Sequence, residues 1–369
     1  MHLCTVCIAL GCALVAPAVA HAAGGGVTVE AGAGESKPTP TIQPSAFEYQ
    51  KLQGRWQPTE ALYLSASVRA THDFLASATP GTPLRTGPDW VWFGTLDMTY
   101  DVSQHVTFGV GLNGSLPSTR FIASPLTYPF DRTTSRDSYA LMRTESSSIG
   151  GSFDVTYDTT DDDSPAGPLE GSVDVSVGYT NFATDQVMTM LDAPSGTTTI
   201  DAFAGACRRA TSPLCDVAAR ANAHNRASLN QARLGATLTA TVEEHTDAAV
   251  DVAYYGYDHG GPENTGFFHV TPANGGGQTA TYGAGLPVIP TQFSVRPELG
   301  HKWEKISVRA WYQFSDYTEP GFVGHTVGGK VQLYLGDWRV YGTGSFRADV
   351  SLVDTADTWS VGIGLTRLF

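Results

Sequence analysis

Beyond residue 20 the chain has no apolar run near the ~20 residues a membrane-spanning helix requires. A bilayer crossing by this chain therefore has to be made by a closed barrel, because lipid offers no partner to an unpaired backbone group. Charge is also scarce, at 16% of residues, and the helix-formers Lys and Met are few. The charge that is present is unbalanced: 22 Lys and Arg stand against 36 Asp and Glu, for a net −14. That excess argues against nucleic acid as a partner and suits an exported protein with well-solvated loops. What is abundant is glycine, 40 residues, with 10% aromatics, a balance that fits a β-domain better than an α/β enzyme. At 369 residues there is room for one large β-domain or two ordinary ones.

Residues 1–22 have the form of a secretory signal peptide, leaving 23–369 as the mature domain. Cys7 to Val19 is an apolar run, and Ala18-Val19-Ala20 and Ala20-His21-Ala22 both offer small-residue cleavage sites. The n-region departs from the pattern in having no Lys or Arg, a gap that a misplaced start codon would account for. Of five cysteines only Cys207 and Cys215 lie outside this segment. An even pair in an exported chain implies a disulfide.

The remainder alternates. Segments of ~10 residues place Val, Leu, Ile and aromatics on one side and Ser, Thr, Gly and occasional charge on the other, as in Val173, Val175, Val177 against Ser172, Asp174, Ser176. The last segment reads TADTWSVGIGLTRLF, with Trp359, Val361, Ile363, Leu365 and Phe369 in one row, and it ends on the aromatic. In this it resembles the closing strand of Gram-negative outer-membrane β-barrels of the porin-like class, whose terminal Phe or Trp forms part of the signal read by the insertion machinery. The resemblance implies an all-β fold, a transmembrane antiparallel up-and-down barrel, with Phe369 as insertion signal. It also implies an outer-membrane location among lipid and lipopolysaccharide.

Counting segments gives fourteen strands, beginning with Gly26 to Gly34, or twelve if that first segment is an extension. Connections alternate between short turns (57–60, 101–104, 158–167, 243–247, 301–305, 336–337) and long loops (35–45, 75–88, 114–138, 181–226, 258–289, 316–325, 351–357). This is the asymmetry of short periplasmic turns and long extracellular loops. The longest insertion, 181–226, carries both cysteines and Arg208, Arg209, Arg220 and Arg226, and is expected to be a disulfide-stapled extracellular or constricting loop. Pro297 falls inside a strand and is expected at an end or a bulge.

The alternation turns Arg296, Arg309, Lys330, Arg339 and Arg347 inward on the C-terminal strands, and Asp97, Asp154, Asp174 and Asp251 inward on the first two-thirds. These nine are the expected pore-lining residues. Segregated signs across a water-filled lumen would orient dipolar solutes and exclude apolar ones; the same residues could instead pair and plug it. Other motifs carry little. Gly109 to Gly114 matches GxGxxG, but Pro117 and a polar stretch follow where a phosphate-binding helix would have to begin. Asp161-Asp162-Asp163 lacks the Gly and Glu of a calcium loop. His72-Asp73 and Asp258-His259 sit near strand ends without the remainder of a catalytic set. No metal, cofactor or enzymatic activity is expected. The reading is a channel for passive diffusion of small hydrophilic solutes. The alternative is a non-transport barrel, serving as export-system partner, surface scaffold or adhesin.

Overall fold

The computed structural model describes residues 24–36, 45–75, 90–126, 138–159, 170–193, 196–199, 225–242, 245–258, 268–270, 280–282, 291–318, 321–350 and 355–369. Cys207, Cys215, Asp161 to Asp163, His259 and most of the 181–226 insertion lie outside them.

The described residues form seventeen strands: β1 (Gly25–Ser36), β2 (Ser45–Thr59), β3 (Leu62–Leu75), β4 (Val91–Ser103), β5 (Val106–Leu126), β6 (Ser138–Asp158), β7 (Glu170–Ala193), β8 (Gly196–Thr199), β9 (Asn225–Val242), β10 (Thr246–Tyr257), β11 (Phe268–Val270), β12 (Ala280–Tyr282), β13 (Thr291–Lys302), β14 (Ile306–Tyr317), β15 (Val323–Leu335), β16 (Trp338–Val350) and β17 (Thr355–Leu368). Fourteen of these make one antiparallel sheet that closes on itself, each strand pairing with its neighbours in chain order and β1 with β17. β8 is a short addition to β7, and β11 and β12 form a small separate hairpin. The first segment is therefore a barrel strand, and the count is fourteen rather than twelve.

Closure joins the first strand to the last. The Gly25 N–H donates to the Phe369 carbonyl at 2.9 Å, and the Phe369 N–H returns a bond to Gly25 at 3.1 Å. On the other side β1 takes β2 in register, Val29 opposite Leu52 and Glu30 opposite Lys51. That register settles the facing of β2, which its sequence leaves open. Leu52 and Trp56 point outward, and Tyr49, Lys51, Gln53 and Arg55 point into the lumen.

The outer face is apolar because the large hydrophobics alternate onto it with period two. Leu96, Leu112, Val177, Leu238, Leu299, Val327 and Ile363 are all at least half exposed, as a lipid-facing surface requires. Trp56, Tyr100, Tyr157 and Trp338 lie at the short-turn end of their strands, and Trp303 lies in the short turn after β13. Trp92, Tyr179, Tyr254 and Trp359 lie towards the other end, so the band is bounded by two aromatic girdles. His72 belongs to this outer surface, stacked on Trp90 with ring centroids 5.2 Å apart and 3.8 Å from Glu48. It does not face the lumen. The two-residue hairpin between β15 and β16 works because Gly336 takes φ +64°, which a two-residue turn demands and a side chain disfavours.

Three expectations are corrected. The first half of the loop read at 114–138 is strand, since β5 continues to Leu126. Pro117 does not end β5, because a bulge between Ser115 and Ser118 takes up the residue that cannot donate. The insertion read from residue 181 likewise begins as strand, since β7 runs on to Ala193 and pairs with β9 up to Gln186–Asn225. With 21, 21 and 24 residues, β5, β6 and β7 far exceed the ~9–11 a tilted membrane strand needs, so they carry the sheet beyond the bilayer. Pro297 sits at neither an end nor a bulge. Its neighbours Val295 and Glu298 keep one register with β14, and the ladder lacks pairs at Arg296 and Pro297. The missing N–H is absorbed by a gap, not by an extra residue.

Candidate functional site

The inward faces of the fourteen strands bring the charged residues to two walls. Asp97 on β4, Asp154 on β6 and Asp174 on β7 share the face opposite the exposed apolar row on their strands. Lys330 on β15 and Arg339 on β16 do the same on the other side of the ring, and Arg55 on β2 stands between the two groups, two strands from Asp97. In a ring of fourteen, β17 lies seven strands from β7, so the basic set centred on the β1–β17 seam faces the acidic set.

The acidic wall holds its charges with hydroxyls. Ser65 Oγ donates to Asp97 at 3.2 Å and Thr156 Oγ1 to Asp174 at 2.9 Å. Asp154 is within electrostatic reach of both Asp174 and Asp97. Among the described residues no cation is ion-paired with any of the three. Asp251 differs: it accepts from Thr237 at 3.0 Å and lies 3.6 Å from Arg233, whose guanidinium also donates to Ser176 at 2.7 Å.

The five basic residues expected to line the pore fall into two classes. Arg309 reaches Asp247 at 2.7 Å and Glu298 at 3.0 Å, Arg296 reaches Glu298 at 2.7 Å, and Arg347 meets Asp349 at 2.8 Å and donates to the Tyr317 hydroxyl at 2.5 Å. These three are neutralised in place. Lys330 and Arg339 have no carboxylate partner among the described residues; they lie over the Tyr341 ring at 4.0 Å and the Tyr334 ring at 5.5 Å. Sequence spacing alone gives no sign of this division, because the carboxylates that make it sit on neighbouring strands or two residues along the same face.

The seam carries a cluster that the alternation of single strands does not reveal. Glu30 on β1 accepts from Tyr49 of β2 at 2.8 Å on one oxygen and from Tyr341 of β16 at 2.6 Å on the other. Arg69 caps the Tyr49 ring at 4.2 Å and Lys330 caps the Tyr341 ring. Both rings lie flat along the wall over glycines, Tyr49 over Gly32 and Gly362 and Tyr341 over Gly364, so that a Cβ at any of the three would strike a ring. Two large side chains are thereby kept beside the wall and out of the lumen. Lys51, Arg55 and Glu30 escape the sequence reading, because the facing of β2 is ambiguous and Glu30 sits in a strand of small residues.

At the short-turn end of the lumen lies a cavity of about 650 Å³. Lys330 and Arg339 contribute to it from β15 and β16, and Arg55, Ser65, Asp97 and Thr99 from β2, β3 and β4, where Arg55, Ser65 and Asp97 stand in one cross-strand row.

The division has a mechanical consequence. Arg309→Gln leaves Asp247 and Glu298 facing each other without their shared cation, whereas Arg339→Gln leaves no carboxylate behind. The first is expected to destabilise the barrel by about 1 kcal/mol, the upper end for pairs this exposed. The second is expected to leave stability near wild type. Thermal unfolding in detergent, followed by the gel-mobility change of the heated barrel, compares them.

No protein-family model matches the sequence, and no curated protein matches it. Solved structures do. The toluene transporter TbuX of Ralstonia pickettii aligns over 94% of this chain and 89% of its own, with a TM-score of 0.55 and 10% identity. The fold is that of an outer-membrane β-barrel. The CymD monoaromatic hydrocarbon channel aligns with a TM-score of 0.53 at 11% identity, over 94% of this chain and 88% of that one. A FadL homologue of Pseudomonas aeruginosa aligns with a TM-score of 0.55 at 8% identity, over 94% and 90%. At these identities the likeness reaches the fold and stops there.

Proposed function

We propose that this barrel is an outer-membrane channel passing small hydrophilic solutes by diffusion. The observation that carries the reading is the pair of uncompensated charge walls bordering one lumen, Asp97, Asp154 and Asp174 against Lys330 and Arg339, with Arg55 between them on β2. Such walls set a transverse field that favours dipolar solutes and penalises apolar ones. A lumen built only as a structural plug would satisfy its charges internally, as Arg309, Arg296 and Arg347 do. Solutes and ions crossing the field are its partners, alongside outer-membrane lipid, lipopolysaccharide and the insertion machinery that would read Phe369. The constricting role read for 181–226 concerns residues mostly outside those described.

The similar solved structures favour a channel of another cargo, since two of them are named for toluene and monoaromatic hydrocarbons. For this chain that is the second reading. A hydrocarbon gains nothing from the charged lumen and would leave Asp154 and Lys330 desolvated without partners.

Refolded protein in a planar bilayer, under a KCl gradient, is expected to give steady openings with a measurable reversal potential. Proteoliposomes are expected to swell in small sugars and amino acids. Openings and swelling both absent, with toluene flux present, would replace this reading with the second. A correctly closed barrel silent in all three assays would favour a scaffold or export-partner role.

A further inference from the structure

We infer that the short-turn end of the lumen holds an anion station, in which Arg55, Lys330 and Arg339 grip the carboxylate or phosphate group of a passing solute. This names the solute class of the channel proposed above and rests on that reading for its cargo, though binding itself does not require conduction.

The three cations come from β2, β15 and β16, elements distant in sequence that closure of the barrel brings to one cavity. None of them has an ion pair among the described residues, although Arg233, Arg296, Arg309 and Arg347 each do. The carboxylate closest to hand, Glu30, already has a tyrosine hydroxyl bound to each oxygen. Lys330 lies within electrostatic reach of Arg309, Arg55 and Lys51 as well as of Glu30. Burial of the ammonium, and then the like charges around it, raise the cost of the empty site against the offset from Glu30, and an incoming anion lowers it.

The cavity is of suitable size, since ~300–1,000 Å³ is usual for a small-molecule site. Asp97, across the lumen from Lys330 and Arg339 and two strands from Arg55, adds a preference: it is an acceptor that repels a second anionic group and welcomes a donor. The station therefore suits a small anion carrying a hydroxyl or ammonium at its other end. Its grip has to be weak, because a solute held tightly would block the channel it is crossing. A dissociation constant on the order of 1 mM fits that demand.

Titration calorimetry on the full-length barrel in detergent micelles, at low ionic strength, tests this with two probes, inorganic phosphate and D-lactate. Saturable binding of one or both is expected, and the stronger heat tells which anionic group the station prefers. Arg55→Gln/Arg339→Gln is expected to weaken binding at least about tenfold, while Arg347→Gln, which removes an already paired guanidinium, leaves it unchanged. If the double variant fails to close, Lys330→Gln alone is measured, with a loss of several-fold expected. Raising KCl should weaken wild-type binding, because the station is electrostatic.

The inference is overturned if wild-type barrel takes up neither probe at about 20 mM, or if removing these cations leaves the affinity where it was. Its failure is separable from that of the channel. A conducting barrel without anion binding keeps the channel and loses the station. A barrel that binds phosphate or lactate through Arg55 and Arg339 but stays silent in bilayers keeps the station and loses the channel.

Discussion

A barrel carrying Asn at positions 97, 154 and 174 is expected to shift its potassium-to-chloride permeability ratio towards chloride by on the order of tenfold. A unit charge ~7 Å from a permeating ion contributes roughly 0.6 kcal/mol in water, and more where the dielectric is lower. Three charges on one wall therefore sum to more than the ~1.4 kcal/mol that corresponds to a factor of ten. The Asp97→Asn/Asp154→Asn/Asp174→Asn change is conservative in shape, and each amide oxygen still accepts the bonds that Ser65 and Thr156 give to Asp97 and Asp174. It also removes the mutual repulsion of Asp154 with its two neighbours. The variant should therefore unfold at a temperature no lower than wild type, which separates a change of field from damage to the fold. The shift should be largest in dilute salt and nearly vanish at about 1 M KCl, where the screening length falls to ~3 Å. Glu30→Gln acts in the same direction from the opposite wall, by adding the weight of its surrounding cations. If the ratio does not move in dilute salt, ions do not pass between these walls, and the lumen is closed there.

What could be seen in the sequence was whatever depends on a period of two. The fourteen barrel strands, their outer face and the short turns follow from local alternation, because each strand has to present one face to lipid on its own account. Proline misled that reading twice, at Pro117 and Pro297, for one reason: a sheet can lose a single donor to a bulge or a gap without ending the strand. The long loops were overestimated for a related reason. Beyond the bilayer a strand no longer needs an apolar face opposite a polar one, so the continuations of β5 and β7 lost strict alternation, as in Phe121-Ile122-Ala123 and Val187-Met188, while keeping their ladder. For the lumen, facing was legible and pairing was not. Asp97, Asp154 and Arg339 could be turned inward from their own strands. That Arg309 is neutralised by Asp247 while Arg339 meets no carboxylate among the described residues is decided by inter-strand register, which no single strand encodes. The seam is the extreme case, because Glu30 and Tyr341 lie 311 residues apart and meet only when the ring closes.

That seam should be where a small substitution does the most damage. Gly364→Val places a branched side chain where the Tyr341 ring lies. The ring cannot move along the wall, since its hydroxyl is fixed to Glu30 and Lys330 covers its face. It has to leave for the lumen, or β17 has to pull away from β16. Overpacking of this kind costs ~1–3 kcal/mol, and loss of a hydrogen bond to a charged acceptor a further ~1.5–3. A destabilisation of roughly 3–5 kcal/mol follows, concentrated on the strand pairs that close the barrel. The variant is expected to refold poorly, to lose its closed form at a much lower temperature, and, where it does close, to conduct less because the ring now projects inward. Tyr341→Phe removes only the hydroxyl and should show the smaller share. Gly364→Val/Tyr341→Ala decides the cause: with the ring gone the valine has space, so the double variant should be more stable than Gly364→Val alone despite carrying an additional lesion. If the second change instead adds its full cost to the first, the valine is destabilising the strand itself, and the ring resting on Gly364 is not what holds the seam.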